Sequence, residues 1–419
     1  MKRLTILFLT LSLLLCACGG QPTQTGNTVP VQGIVNLPEQ AAAQKPETPP
    51  ESKPHLLPAE PVEPQFPFTV KELTVNALLD AMTLKEKVGQ LFFARCPASR
   101  QTEKIEEYHL GGYLLFLRDF QNTAGEWLTE EEFISKIESY QSASTIPLLI
   151  GVDEEGGSVA RASRNPNLFP QKRKSPQAVY KNGGMAAILQ DTFDYNSRLL
   201  FLGINVNFAP VADISTDPAD FIYDRTIGLN ASETAEYIEA VVAQMNQCQV
   251  NGELRRIGSV LKHFPGYGNN VDTHTGIAID SRPYESFMKN DLLPFSAGIN
   301  AGAGAVLVSH NIVQCMDTSL PASLSAKVIG ILREELGFDG VILTDDLAMD
   351  AVKQYAKDGR AAVLALLAGN SMIVTTDFEA QINEVLTAIE NGELSMELID
   401  RAVRCVLNWK YDLGLLQGE

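Results

Sequence analysis

The 419-residue sequence has no Cys-x-x-Cys pair, no Gly-x-Gly-x-x-Gly or P-loop, no internal repeat of fixed period, and little positive charge. Its six cysteines are scattered without metal-ligand spacing, which removes the usual zinc and iron–sulfur signatures. Without a glycine-rich loop there is no dinucleotide or nucleoside-triphosphate fingerprint. No metal or organic cofactor is implied. Lys and Arg number 33 against 51 Asp and Glu, a formal net charge of −18. Phosphate-rich partners require clustered cations, so this balance argues against nucleic acid and against an anionic membrane surface. It suits a soluble protein acting on neutral or cationic ligands.

Apolar runs are also short. The most continuous one, Leu4 to Leu15 after Lys2 and Arg3, is below the about 20 residues of a membrane span and has the form of a signal peptide h-region. It ends in Leu15-Cys16-Ala17-Cys18-Gly19-Gly20, which resembles a bacterial lipobox. Small Ala17 precedes Cys18, whereas bulky Leu15 precedes Cys16, so Cys18 is the expected lipidation site and residues 1–17 the cleaved peptide. Residues 18–67 are expected to form a disordered tether. They contain half of the chain's 22 prolines and too little apolar surface to offset the entropy of ordering. A lipid at Cys18 would hold an extracytoplasmic protein at the cell membrane without any spanning helix.

What is abundant begins near residue 68. Apolar β-like runs occur at residues 88–95, 112–117, 147–153, 204–210, 258–264, 304–310, 340–345 and 371–375. Most are separated by helix-length stretches. Ala235, Ile238, Val242 and Met245 share one helical face, as do Val328, Ile331, Leu332 and Leu336. Eight buried strands alternating with helices predict an α/β fold with a parallel sheet covered on its outside. Residues 68–419 thus read as a single TIM-type (β/α)8 barrel, with an open doubly wound sheet as the alternative. Cys96, Cys248, Cys315 and Cys405 are expected mainly as small buried residues, with one disulfide possible in an exported protein.

Active sites of such barrels lie at the C-terminal ends of the strands. Here those ends carry Asp153-Glu154-Glu155, then Asn207 through Asp213, then Lys262-His263, Ser309-His310 and Asp345-Asp346. His263, His274 and His310 are three of only five histidines, all at or just beyond strand ends. A lone polar strand end is most often a helix cap. Five that converge point to recognition of sugar hydroxyls and oxocarbenium chemistry. Chemistry alone would pair Asp345 with Glu154 or Glu155 as the two flanking carboxylates.

Five motifs occur in order: Asp153-x-Glu155-Gly156-Gly157-x-Val159-x-Arg161, Asn207-Phe208-Ala209-Pro210-Val211, Lys262-His263-Phe264-Pro265-Gly266, Asp272-Thr273-His274, and Gly340 through Asp346-Leu347-x-Met349. Together they resemble glycoside hydrolase family 3, in particular its bacterial β-N-acetylglucosaminidase branch, over roughly residues 75–415. The resemblance implies a retaining exo-β-N-acetylglucosaminidase acting on cell-wall-derived or chitin-like oligosaccharides. It implies Asp345 as nucleophile, His274 as general acid/base and Asp272 as the residue orienting it. Asp153, Arg161, Arg225, Lys262 and His263 would bind the sugar, with His310 and Met349 lining the pocket and Asp213 structural. Tyr267 stands where the family usually has a second His. Thr273 and Gly276-Ile277-Ala278 also depart from the common catalytic loop, which bears on leaving group and rate. The barrel alone, as a monomer, would carry catalysis on a carbohydrate substrate. A phosphorylase or β-glucosidase of the same family remains an alternative, as does an inactive sugar-binding lipoprotein.

Overall fold

The computed structural model describes residues 69–270, 276, 278–353, 355 and 360–416. The expected signal peptide (residues 1–17), Cys18, the expected tether (residues 18–67), Asp272, Thr273, His274 and Ile277 lie outside the described residues. Eight parallel strands form one sheet: β1 (Phe92–Arg95), β2 (Gly112–Leu115), β3 (Leu149–Val152), β4 (Val206–Asn207), β5 (Gly258–Phe264), β6 (Ala305–Val308), β7 (Val341–Thr344) and β8 (Ile373–Thr375). From β1 to β7 each strand pairs with the next in the chain, and β1 pairs with β8 in the register Phe92↔Ile373. The circle closes where Leu343 bridges Met372 and the Ser371 amide donates to the Ile342 carbonyl at 2.9 Å. The sheet is therefore a barrel, not an open doubly wound layer.

Strand periodicity sorts the core into two layers. Phe93, Leu114, Leu149, Val206, Phe208, Val260, Leu307, Leu343 and Val374 point inward and pack together. Phe92, Ala94, Tyr113, Leu115, Ile150, Val152, Leu261, Val306 and Ile342 point outward, against the surrounding helices. The helices begin where local chemistry places them. α1 (Val70–Ala81), α2 (Leu84–Gln90), α4 (Glu130–Ser142) and α6 (Ala231–Met245) each open on a reciprocal capping box, with Thr69/Glu72, Thr83/Glu86, Thr129/Glu132 and Asn230/Glu233. Such a pair satisfies two orphan amides at once. The remaining principal helices are α3 (Gln101–Tyr108), α5 (Pro176–Phe201), α7 (Leu292–Asn300), α8 (Ala326–Gly330), α9 (Ala361–Ala368), α10 (Phe378–Glu390) and α11 (Met396–Asp412).

Several boundaries differ from expectation. Residues 88–90 belong to α2, because the Thr83–Glu86 box starts a helix that runs through Gln90. β4 keeps only two residues of the expected seven. The Asn205 and Asn207 side chains accept from the Ile150 and Glu154 amides at 2.8 and 3.1 Å, beside the main-chain bonds Asn205 N to Ile150 O at 3.0 Å and Phe208 N to Val152 O at 2.9 Å. The Val328–Leu336 segment is α-helical only to Gly330 and continues as a π-helical turn over Ile331–Glu335. The four cysteines of the barrel are free thiols. Cys96 and Cys248 are buried, and burial pushes both up to about 12. Cys315 is exposed and Cys405 half-buried, so only half of that expectation holds. No helix among the described residues is long and apolar enough to cross a membrane.

α11 plugs the N-terminal end of the barrel, placing Val406, Trp409 and Leu413 in the inner layer. Gly304 permits this, since a Cβ there would lie 2.2 Å from Trp409 Nε1. The plug also buries Lys410, whose Nζ donates to Gln90 Oε1 at 2.6 Å. Burial brings this ammonium down to about 7 from 10.5. The unfolded chain then holds more protons than the folded one between those values, so this group makes stability rise with pH across that window. Lys410→Met is expected to melt higher at neutral pH and to lose that rise. Thermal melts at neutral and alkaline pH check this; an unchanged pH slope would mean the buried amine stays charged.

Candidate active site

The inward-pointing positions one step above the core form the floor and walls of a cavity at the C-terminal face. Counting by two from Phe93, Gly151, Val260 and Leu343 gives Arg95, Asp153, Lys262 and Asp345. All four line a cavity of ≈ 240 Å³, together with Phe116, Arg161, Phe208, Arg225, His263, Asp346 and Met349. This is below the about 300–1,000 Å³ of pockets that enclose drug-sized ligands, so it suits a single sugar ring better than an oligosaccharide. His263 reaches the same cavity as its neighbour because β5 is irregular. Leu261 lies opposite Val306 but Phe264 opposite Val308, one residue more on β5 than on β6, the signature of a bulge.

The polar wall is one connected chain of charges. Lys262 Nζ contacts Asp153 Oδ1 at 2.7 Å and Glu155 Oε1 at 2.5 Å. Glu155 takes a two-pronged contact from Arg225, Nε at 2.9 Å and Nη2 at 2.7 Å. Arg225 Nη2 lies 3.1 Å from His263 Nε2, and His263 Nδ1 lies 2.7 Å from Asp213 Oδ2. That network is satisfied when Nδ1 carries the hydrogen, donating to Asp213, and Nε2 accepts from Arg225. Asp213 also accepts from the backbone amides of His263 at 3.0 Å and Tyr267 at 2.7 Å. Asp213 thus fixes the His263 ring, and Tyr267 sits edge-on to that ring with centroids 5.6 Å apart. Burial alone would raise the Glu155 carboxyl, but Arg225 and Lys262 outweigh it and hold the group down to about 2. Burial lowers and Glu155 raises the Arg225 guanidinium, and the carboxylate prevails.

Neither glutamate is placed to act as a second reacting carboxylate. Glu155 is engaged by two cations. Glu154 is fully buried and accepts from the amides of Arg161 at 2.9 Å and Ala162 at 2.8 Å, and from the Ser163 hydroxyl. It shapes the loop that presents Arg161, and burial raises its pKa despite these bonds. The alternative pairing of Asp345 with Glu154 or Glu155 is therefore set aside.

Asp345 follows β7, its amide donating to Val308 O at 3.0 Å and its Oδ1 accepting from the Asp346 amide at 2.8 Å. Asp346 holds the turn by accepting from the Ala348 amide at 2.9 Å and the Thr376 hydroxyl at 2.9 Å. Met349 lies against the cavity as expected. His310 does not. Leu307 faces inward, so alternation turns residue 310 outward, and the ring is fully buried. Its Nδ1 lies 2.7 Å from Ser323 Oγ and its Nε2 3.1 Å from Asp346 O, so it braces the Asp345–Asp346 turn from behind. Arg95 and Phe116 are site residues that motif reading overlooked, and for Glu155 it missed the role of anchoring Arg225 and Lys262. For Arg95 the signal was available, since it lies two residues after inward Phe93.

An eight-stranded barrel with a carboxylate at the end of β7 and a hydroxyl-sized polar wall across β3–β5 has the form of a sugar-processing enzyme. The chain belongs to glycosyl hydrolase family 3: the sequence profile of that family's N-terminal domain matches residues 83–409. It is 33% identical over 299 residues to a beta-hexosaminidase of Nitrosomonas eutropha, covering 69% of this chain and 81% of that one. It is 28% identical over 370 residues to the beta-hexosaminidase LpqI of Mycobacterium tuberculosis, covering 84% and 89%. Among solved structures, a family 3 beta-N-acetylglucosaminidase from Paenibacillus superposes with a TM-score of 0.72 at 31% identity, covering 81% of this chain and 64% of that chain.

Proposed function

We propose that the chain is a retaining exo-β-N-acetylglucosaminidase, cleaving terminal β-linked N-acetylglucosamine from cell-wall-derived or chitin-like oligosaccharides. The observation that carries this reading is the placement of Asp345 in one cavity with Asp153, Lys262, Arg225 and His263, which Glu155 and Asp213 anchor. Similarity to beta-hexosaminidases supports the acetamido sugar as substrate. In the first step an Asp345 oxygen bonds to the anomeric carbon as the glycosidic bond breaks, and the departing oxygen takes a proton from His274. In the second step water attacks the same carbon, gives its proton to His274 and releases Asp345. Asp272 would orient His274. Asp153, Arg161, Arg225, Lys262 and His263 hold the sugar's hydroxyls. A wrong epimer would leave buried charges without partners, which is how such a wall enforces configuration. The enzyme would act as a monomer outside the cytoplasm, anchored through a lipid on Cys18.

The test is release of 4-nitrophenol from its β-N-acetylglucosaminide and its β-glucoside, with and without inorganic phosphate. Turnover of the acetamido sugar independent of phosphate is expected. Phosphate-dependent turnover would move the reaction to phosphorolysis, and turnover of the glucoside alone would overturn the sugar assignment. The orienting role of Asp213 predicts a further result. Asp213→Asn presents an N–H where His263 and Tyr267 donate, so kcat/KM should fall about ten- to hundredfold with the melting transition retained. Unchanged kcat/KM would mean the His263 ring is held without it.

A further inference from the structure

Arg95 lies in the cavity wall and belongs to none of the motifs that define the site. Its Nε is buried and has no hydrogen-bond partner among the described residues, although the residue borders the cavity. Its guanidinium carbon lies over the Phe116 ring, 4.0 Å from the centroid. The Phe116 main chain is held there, its backbone amide donating to buried Asp119 at 2.7 Å. A guanidinium locked by stacking, with an unsatisfied donor beside a cavity, is a recognition group lacking its acceptor. The surroundings say which part of a sugar would supply it. Apart from Arg95, this side of the cavity is apolar: Leu114, Phe116 and Val374. The facing wall, from Asp153 round to His263, holds the polar groups of Asp153, Arg161, Arg225, Lys262 and His263, with Phe208 as an apolar floor among them.

With C1 of a pyranose at Asp345, its two flanks differ in chemistry. The C2–C3 flank of an N-acetylhexosamine carries an amide and a hydroxyl. The C5 flank carries one methylene and one hydroxyl. The densely polar wall matches the first flank, and a wall with one donor among apolar side chains matches the second. We infer that Arg95 is a specificity-determining residue that donates a hydrogen bond to the C6 hydroxyl of the terminal sugar, while Phe116, Leu114 and Val374 pack on its methylene. This rests on the proposed glycosidase reading and assigns the flank of the sugar that the motif residues leave unread.

The experiment is a cycle of two enzymes and two substrates. Wild type and Arg95→Met are assayed on 4-nitrophenyl N-acetyl-β-glucosaminide and on its 6-deoxy analogue. Wild type should lose about ten- to hundredfold in kcat/KM on the 6-deoxy substrate, the scale of a hydrogen bond from a charged donor. In Arg95→Met that gap should shrink below about threefold, with Arg95→Lys partly restoring it. Both enzymes should process the 6-deoxy sugar at similar rates, which separates lost recognition from misfolding. If the mutant keeps the full wild-type gap, or wild type shows none, the inference fails while the glycosidase reading stands. If wild type turns over neither sugar, the glycosidase reading fails first.

Discussion

Asp345→Asn is expected to fold normally and to lose turnover by on the order of 10⁴-fold or more, the scale on which enzymes lose activity when a covalent nucleophile is removed. The amide preserves volume and can still accept from the Asp346 amide through Oδ1. The turn has independent supports in Asp346, Thr376 and the buried His310 ring. Stability should therefore stay close to wild type while chemistry collapses, because an amide oxygen is too weak a nucleophile to form the glycosyl ester. Comparison of kcat with the melting temperature of the purified variant checks both halves. Residual activity within tenfold of wild type would assign the nucleophile elsewhere.

The second large effect concerns Glu155, which lies between two cations and is 4% exposed. Glu155→Gln leaves the Arg225 and Lys262 charges close together in a site nearly closed to water. Breaking a buried ion pair from one side costs about 3–5 kcal/mol, and the charged wall would lose its geometry as well. The variant should be destabilised by that amount in chemical denaturation and should bind sugar poorly. It should also differ in acid. The folded carboxyl is held at about 2 against an ordinary 4.5. It contributes stability above about 4.5, which is lost as pH falls toward 2. Wild type and variant should therefore converge in stability as acid is added. A constant difference from neutral pH down to acid would mean Glu155 is not held ionised by its neighbours.

Much of this site was legible because a parallel barrel writes itself as apolar runs with polar ends. Val152-Asp153 and Thr344-Asp345 mark β3 and β7 plainly, since Asp153 and Asp345 each lie just beyond the last strand residue and on the inward side of the pleat. Lys262 and His263 were legible as a pair for another reason. Lys262 follows from alternation after Val260, but His263 enters the cavity only through the irregularity in β5, which periodicity does not announce and the Lys-His-Phe-Pro-Gly motif carries. His310 shows the converse. It sits two residues past β6 and looks like a pocket residue until alternation from Leu307 is followed, which turns it behind the nucleophile turn. Glu155 could be seen only as an acid near the site, because its partners Arg225 and Lys262 are 70 and 107 residues away in sequence. The two-residue β4 was overestimated for a related reason: no periodicity indicates that Asn205 and Asn207 side chains will take the Ile150 and Glu154 amides of the neighbouring segment. Eight strands predicted a barrel, but strand count alone does not settle closure against an open sheet. Closure depends on β8 meeting both β1 and β7, a contact between the two ends of the strand sequence.

The central claim is that Asp345 becomes covalently attached to the sugar. The most direct measurement is peptide mass spectrometry after brief exposure of the enzyme to a fluorinated N-acetylglucosaminyl fluoride, whose electron-poor ring slows the second step more than the first. The account predicts a single added sugar on the peptide containing Asp345, lost on prolonged incubation as water releases it. A sugar on any other residue, or an unlabelled Asp345 peptide from enzyme that still consumes the reagent, would contradict it.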